Sequence, residues 1–246
     1  ELRNVTRMIA AILWGGLAAM SLLVGYYLAT RGPSQRSTGL IMGIGAGALI
    51  AAIAYELVPE TVLGGWAMAL GFGLGAMVFF LGDWFVDRRG GEDRKDIAGS
   101  AESGSGAAIF VGTLLDNVPE SIILGMGLAL GGAINLAFLV AVFISNLPEG
   151  VAGSVNLTNT GMARRRVFWM WAGLVLVSAA CAAFGYGMAR LLPTVDGVRA
   201  QAFAAGAMLT MLADAMMPEA FERGGKLVGL FAVFGFLTAA VQSLVD

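Results

Sequence analysis

Stretches of about twenty mostly apolar residues follow one another along the whole of this 246-residue chain, separated only by short polar breaks. Hydrocarbon offers no water to backbone N–H and C=O groups, so such a run must satisfy its own hydrogen bonds as a helix. Eight runs can be read, over roughly 8–30, 38–60, 66–86, 107–131, 134–157, 167–192, 199–222 and 226–245. The breaks between them are Arg31-Gly32-Pro33, Gly64-Gly65, the charged stretch 87–102, Gly131-Gly132, Arg164-Arg165-Arg166, 193–197 and Gly224-Gly225. A composition of 58% hydrophobic and only 13% charged residues lies outside the soluble range. The expected fold is an all-α integral membrane protein, with 1–246 forming a single polytopic transmembrane domain of eight helices. Met8–Thr30 is too long, and wrongly flanked, for a cleaved signal peptide.

Basic residues set the expected orientation. Arg31, Arg36, Arg88, Arg89, Arg94, Lys95, Arg164, Arg165, Arg166, Arg223 and Lys226 all fall in the odd-numbered connections, leaving only Arg3, Arg7, Arg190 and Arg199 for the other side. By the positive-inside rule the odd connections are cytoplasmic and both termini face out, which suits a plasma or inner membrane. The longest connection, 87–106, is charged and then Ser/Gly-rich, and reads as a flexible cytoplasmic loop.

The chain has no histidine and one cysteine, Cys181. Imidazole-based zinc sites, HExxH hydrolases, CxxC sites and internal disulfides are therefore excluded, and Cys181 reads as a small packing residue. No resident cofactor is expected, and no nucleic-acid partner.

Two adjacent runs carry nearly the same polar insert: Asp116-Asn117-Val118-Pro119-Glu120 and Ser145-Asn146-Leu147-Pro148-Glu149. A carboxylate at the bilayer centre costs roughly 2.5–3.5 kcal/mol on insertion scales, and such residues usually mark a site. Neither run contains Lys or Arg as a counter-charge, which leaves a cation or a proton for that role. Asp116 and Glu120 are four apart and share a helix face, as do Ser145 and Glu149. Pro119 and Pro148 lack an N–H, so each is expected to kink its helix and free the carbonyl of Leu115 or Ile144. Carboxylates, amide oxygens, a hydroxyl and freed carbonyls make an oxygen-rich cation site.

A second duplication surrounds the first. Residues 45–60 align without a gap on 204–219, with six of sixteen positions identical, including Pro59-Glu60 and Pro218-Glu219. These segments fall in runs 2 and 7, which cross in opposite directions. The pattern is an inverted repeat of spans 1–3 and 6–8 around the antiparallel pair 4 and 5, the usual setting of a mid-membrane transporter site.

With these motifs the chain resembles the Zrt-/Irt-like (ZIP) family of divalent metal transporters, whose paired helices typically carry His-Asn-x-Pro-Glu-Gly and His-Glu-x-Pro-Glu-Gly or close variants. The resemblance covers the whole chain. It implies transport of zinc, or of a harder ion such as manganese or iron, toward the cytoplasm, with Asp116, Asn117, Glu120, Ser145, Asn146 and Glu149 lining a mid-membrane site. Asp116 and Ser145 stand where the family has histidines, and Asn146 where it has an acid. An all-oxygen ligand set favours harder ions, although zinc outranks Mn²⁺ and Fe²⁺ in raw affinity.

Glu56 and Asp214 sit in the repeated runs 2 and 7, one or two turns from their Pro-Glu ends, and Asp214 is a further candidate metal ligand on an entry or exit path; Glu60, Glu219 and Glu222 lie near span ends and read as solvated. Met208, Met211, Met216 and Met217 read as packing. Gly39, Gly43 and Gly47 form a ladder for a neighbouring helix, in the same chain or in the second copy of a homodimer. Two other function classes compete: a transport-incompetent relative that binds a cation for sensing or structure, and an intramembrane aspartyl hydrolase using Asp116 and Asp214. The hydrolase lacks the Gly-x-Gly-Asp and Tyr-Asp contexts, so the chain is expected not to be an enzyme.

Overall fold

The computed structural model describes residues 2–58, 65–86, 88, 106–131, 136–191 and 194–245. Its helices are α1 (Leu2–Ala29), α2 (Gln35–Ala52), α3 (Trp66–Val86), α4 (Gly106–Gly131), α5 (Leu136–Asn159), α6 (Arg164–Leu191), α7 (Thr194–Met211), α8 (Met217–Gly224) and α9 (Val228–Val245). The described residues contain no strand. Six helical stretches among them are long and apolar enough to cross a membrane: Asn4–Ala29, Gln35–Leu57, Trp66–Val86, Leu136–Asn159, Arg164–Leu191 and Arg199–Ser243. The chain is thus an all-α protein of multi-pass membrane type. The last stretch, 45 residues long, turns at Gly225, whose φ of +66° is left-handed backbone suited to glycine. The expected loop 87–106 and the pair Pro59-Glu60 lie largely or wholly outside the described residues.

Helices pair through backbone contact at glycine. α2 packs on α9, α3 on α7, α4 on α6, and α1 on both α5 and α6. A Cβ on Gly47 would collide with the backbone of Ala232, and one on Gly235 with that of Ile44. The α3–α7 pair repeats this design: Gly206 faces the Phe72 backbone and Gly75 that of Phe203. Where lipid is as apolar as leucine, association depends on such close approach rather than on hydrophobic burial. The ladder Gly39, Gly43, Gly47 is used within the chain, against Gly224, Val228 and Ala232 respectively. Exposed apolar residues, among them Leu74 and Met77 on α3 and Val233 and Leu237 on α9, present the surface a bilayer would cover.

Two π turns interrupt otherwise regular spans. Ile53–Leu57 continues α2, where the Val58 N–H donates to the Ile53 carbonyl at 2.9 Å. Leu212–Met216 joins α7 to α8, where the Met217 N–H donates to the Leu212 carbonyl. Both donors immediately precede a proline, Pro59 or Pro218. A proline cannot bond the carbonyl four residues back, and the wider i→i+5 turn just before it accommodates the lost bond.

Candidate functional site

The polar inserts lie side by side on α4 and α5, deep in the bundle. Asp116 is 0% exposed, Asn117, Glu120, Ser145 and Asn146 each 1%, and Glu149 4%. The 3.6-residue period places Asp116 and Glu120 on one face of α4, and Ser145 and Glu149 on one face of α5. Close packing holds α5 at this depth. The Gly45 position on α2 abuts the Ser145 backbone, and Gly25 on α1 abuts Leu147 and Gly150. A Cβ at Gly45 would stand 2.7 Å from Ser145 Cα.

The centre of the seam is an acid–amide contact. Asn146 Nδ2 donates to Glu120 Oε2 at 2.8 Å, and more weakly to Asn117 Oδ1 at 3.4 Å. Its own Oδ1 is buried with no hydrogen-bond partner among the described residues. Asn117 in turn donates its Nδ2 to the Thr113 carbonyl at 3.0 Å, which orients Oδ1 toward Asn146. Ser145 Oγ donates to the Val142 carbonyl at 2.9 Å.

Neither proline breaks its helix. α4 runs through Pro119 and α5 through Pro148 as continuous α-helix, and the irregular backbone falls in the π turns instead. One intrahelical bond is lost at each proline, at the Leu115 and Ile144 carbonyls, while Asn117 and Ser145 bond other carbonyls one turn back, those of Thr113 and Val142.

Asn117, Glu120 and Asn146 therefore meet in one buried seam, and Asp116, Ser145 and Glu149 are buried on the same two helices. Asp214 does not share their environment: it lies on the exposed side of the α7 π turn. Among the described residues, no group of three or more His, Cys, Asp or Glu side chains is placed to hold a metal ion. An oxygen set that also draws on amides and hydroxyls fits the residues present better than one of acids alone, and the orphaned Asn146 Oδ1 is the clearest sign of unused acceptor capacity.

Other residues depart from, or add to, what their types suggest. Glu219 is not simply solvated but forms an ion pair with Arg223, one turn on, and the α2 backbone at Gly39 packs over this turn. Met208, Met211 and Met216 are core residues, as expected. Asp83 on α3 is only 4% exposed, and sequence reasoning missed it, although an acid inside Phe79-Phe80-Leu81-Gly82-Asp83-Trp84 is a visible signal. Ser154 and Trp171 were missed as well; the indole Nε1 donates to Ser154 Oγ at 2.8 Å and ties α6 to α5.

No protein-family model matches this chain, and no curated protein matches it closely enough to stand as a relative.

Proposed function

We propose that the chain is a divalent-cation carrier that moves its ion through the α4–α5 seam, of the kind the ZIP resemblance implies. The observation that carries this reading is the burial of two Asn-x-Pro-Glu inserts against one another, joined by the Asn146–Glu120 contact. The metal is substrate here. Glu120, Glu149 and Asp116 would supply charge, and Asn117, Ser145 and Asn146 neutral oxygen, a donor set suited to manganese, iron or zinc. An amide N–H cannot face a cation, so loading requires the Asn146 amide to turn over and present its Oδ1. That rotation keeps the shape of the side chain and uses the acceptor that has no hydrogen-bond partner.

Eight spans in an inverted repeat belong to the same proposal. Supporting it, the two π turns occupy aligned positions 159 residues apart, as do the contact residues Gly47 and Gly206. The contact residues of the partnering helices, Phe72 and Ala232 or Gly75 and Gly235, are 160 apart. On this reading both termini lie outside and transport runs toward the cytoplasm.

A second reading, a cation-binding relative that does not transport, is favoured by the absence of a compact acidic ligand group among the described residues. Uptake of Mn²⁺, Fe²⁺ and Zn²⁺ into proteoliposomes separates the two. Saturable uptake supports the carrier; binding without uptake assigns the seam to sensing or structure.

A further inference from the structure

Between α3, α4, α6 and α7 the packing leaves a cavity of about 750 Å³, within the range of ligand-sized clefts. Its lining is apolar except for Arg199, in the second turn of α7 and close to the membrane face where α6 ends. The cavity opens sideways, because the lining residues Val78, Val111 and Phe184 are 56%, 45% and 61% exposed. In a membrane-spanning bundle that side faces acyl chains. Toward the α3–α7 contact the groove floor is backbone and small side chains, including Gly71 and Ala204.

We propose that this groove binds one anionic phospholipid, with an acyl chain along Val78, Val111 and Phe184 and the phosphate on Arg199. A guanidinium has five N–H donors, enough to serve a neighbour within the fold and a phosphate oxygen together. The position is right for a headgroup: Arg199 stands near a helix end, and the apolar lining continues from it for about 12 Å along α7 to Ala207. The same construction recurs at smaller scale. A cavity of about 240 Å³ is lined by Leu147, Pro148 and Val151 of α5, which are 29 residues beyond Val118, Pro119 and Ile122 of the larger one, and it too includes an arginine, Arg31. The bound chain would touch Val118 and Pro119, directly before Glu120, so occupancy bears on the position of α4. The proposal does not depend on the carrier reading, since it concerns lipid and not metal.

The test is native mass spectrometry of the delipidated full chain, titrated with phosphatidylglycerol. Diacylglycerol serves as chain without phosphate, and glycerol phosphate as phosphate without chain. The expected result is one phosphatidylglycerol held above the non-specific background, weaker diacylglycerol binding, and no retention of glycerol phosphate. Arg199→Gln should weaken phosphatidylglycerol about tenfold, the scale of one charged hydrogen bond, and leave diacylglycerol unchanged. Val78→Trp, which fills the groove from its exposed side, should weaken both. Equal phosphatidylglycerol affinity in wild type and Arg199→Gln would overturn the proposal, as would retention of every lipid alike. Should Val78→Trp fail to fold, the Arg199→Gln comparison decides alone.

Discussion

Replacing Asn146 by Asp tests whether the α4–α5 seam is built for a cation. In the structure the Asn146 amide donates to Glu120 Oε2 at 2.8 Å, at a position 1% exposed. The substitution keeps the shape and removes the donor, so one hydrogen bond to a charged group is lost, about 1.5–3 kcal/mol. It also brings two carboxylates together. At about 4 Å and an effective dielectric near 20 their repulsion approaches 4 kcal/mol, which rotation of the side chains or a shared proton would relieve in part. A net loss of about 3 kcal/mol should lower the unfolding midpoint by roughly 6–12 °C for a chain of this length. A divalent cation between the two acids reverses the sign, and at about a hundred times its Kd restores roughly 2.7 kcal/mol. Thermal unfolding in detergent, with chelator and then with Mn²⁺, Fe²⁺ or Zn²⁺, reads both effects. The variant should be less stable than wild type without metal and should gain more from it. Equal or greater stability in chelator, with no response to any cation, would refute the cation-site argument.

Four further outcomes are expected. Glu120→Gln and Glu149→Gln keep the side-chain shape while removing a charge, so each should weaken radiotracer metal binding at least about tenfold, the scale of one charged contact, while the protein stays monodisperse. Metal binding should weaken as the pH falls toward the ordinary carboxylate range, about 4, because protons compete for the same oxygens; calorimetric affinity unchanged down to about pH 4 would remove the acids from the ligand set. Gly47→Ala forces a Cβ into the Ala232 backbone and should cost about 1–3 kcal/mol, whereas Gly187→Ala, with nothing within 4 Å, should be neutral or mildly stabilising; unfolding midpoints compare them. Single cysteines near Arg94 and near Gly197 should differ in reaction with an impermeant reagent applied outside cells, with only the second labelled; the reverse would invert the orientation.

Much of the helix layout can be read from the chain because bilayer thickness sets the length of an apolar run. The run at 66–86 coincides with α3, and the run at 134–157 is α5 (Leu136–Asn159) within two residues. The seam was legible for a related reason: acids and amides in duplicate, at matching four-residue spacing, have few uses inside lipid. What a proline does to its helix was not legible. Pro119 and Pro148 leave the α-helix continuous while the residues before Pro59 and Pro218 close π turns, and packing by neighbouring helices decides between these outcomes. Partnership was equally hidden. The ladder at Gly39, Gly43 and Gly47 announces close approach but not with which helix, whereas the ion pair of Glu219 with Arg223 follows an i,i+4 spacing visible in the chain.

The distribution of close contact bears on where such a bundle can yield. Glycine positions on α2, α3, α7 and α9 bring backbones together so tightly that a single added methyl group has no room. The same holds between α1 and α5, and between α4 and α6, where Gly125 and Gly185 meet the backbones of Ala182 and Ile122. These joints resist sliding because any displacement drives atoms into overlap. Between α3 and α7 on one side and α4 and α6 on the other lies the 750 Å³ cavity, whose lining atoms lack partners across the gap. The acids of α4 are thus carried on a helix locked to α6 yet bordered by open volume beside Pro119. Buried polar groups gain most from rigid, fully satisfied surroundings, and the open volume beside Pro119 denies α4 full support on the face next to its acids.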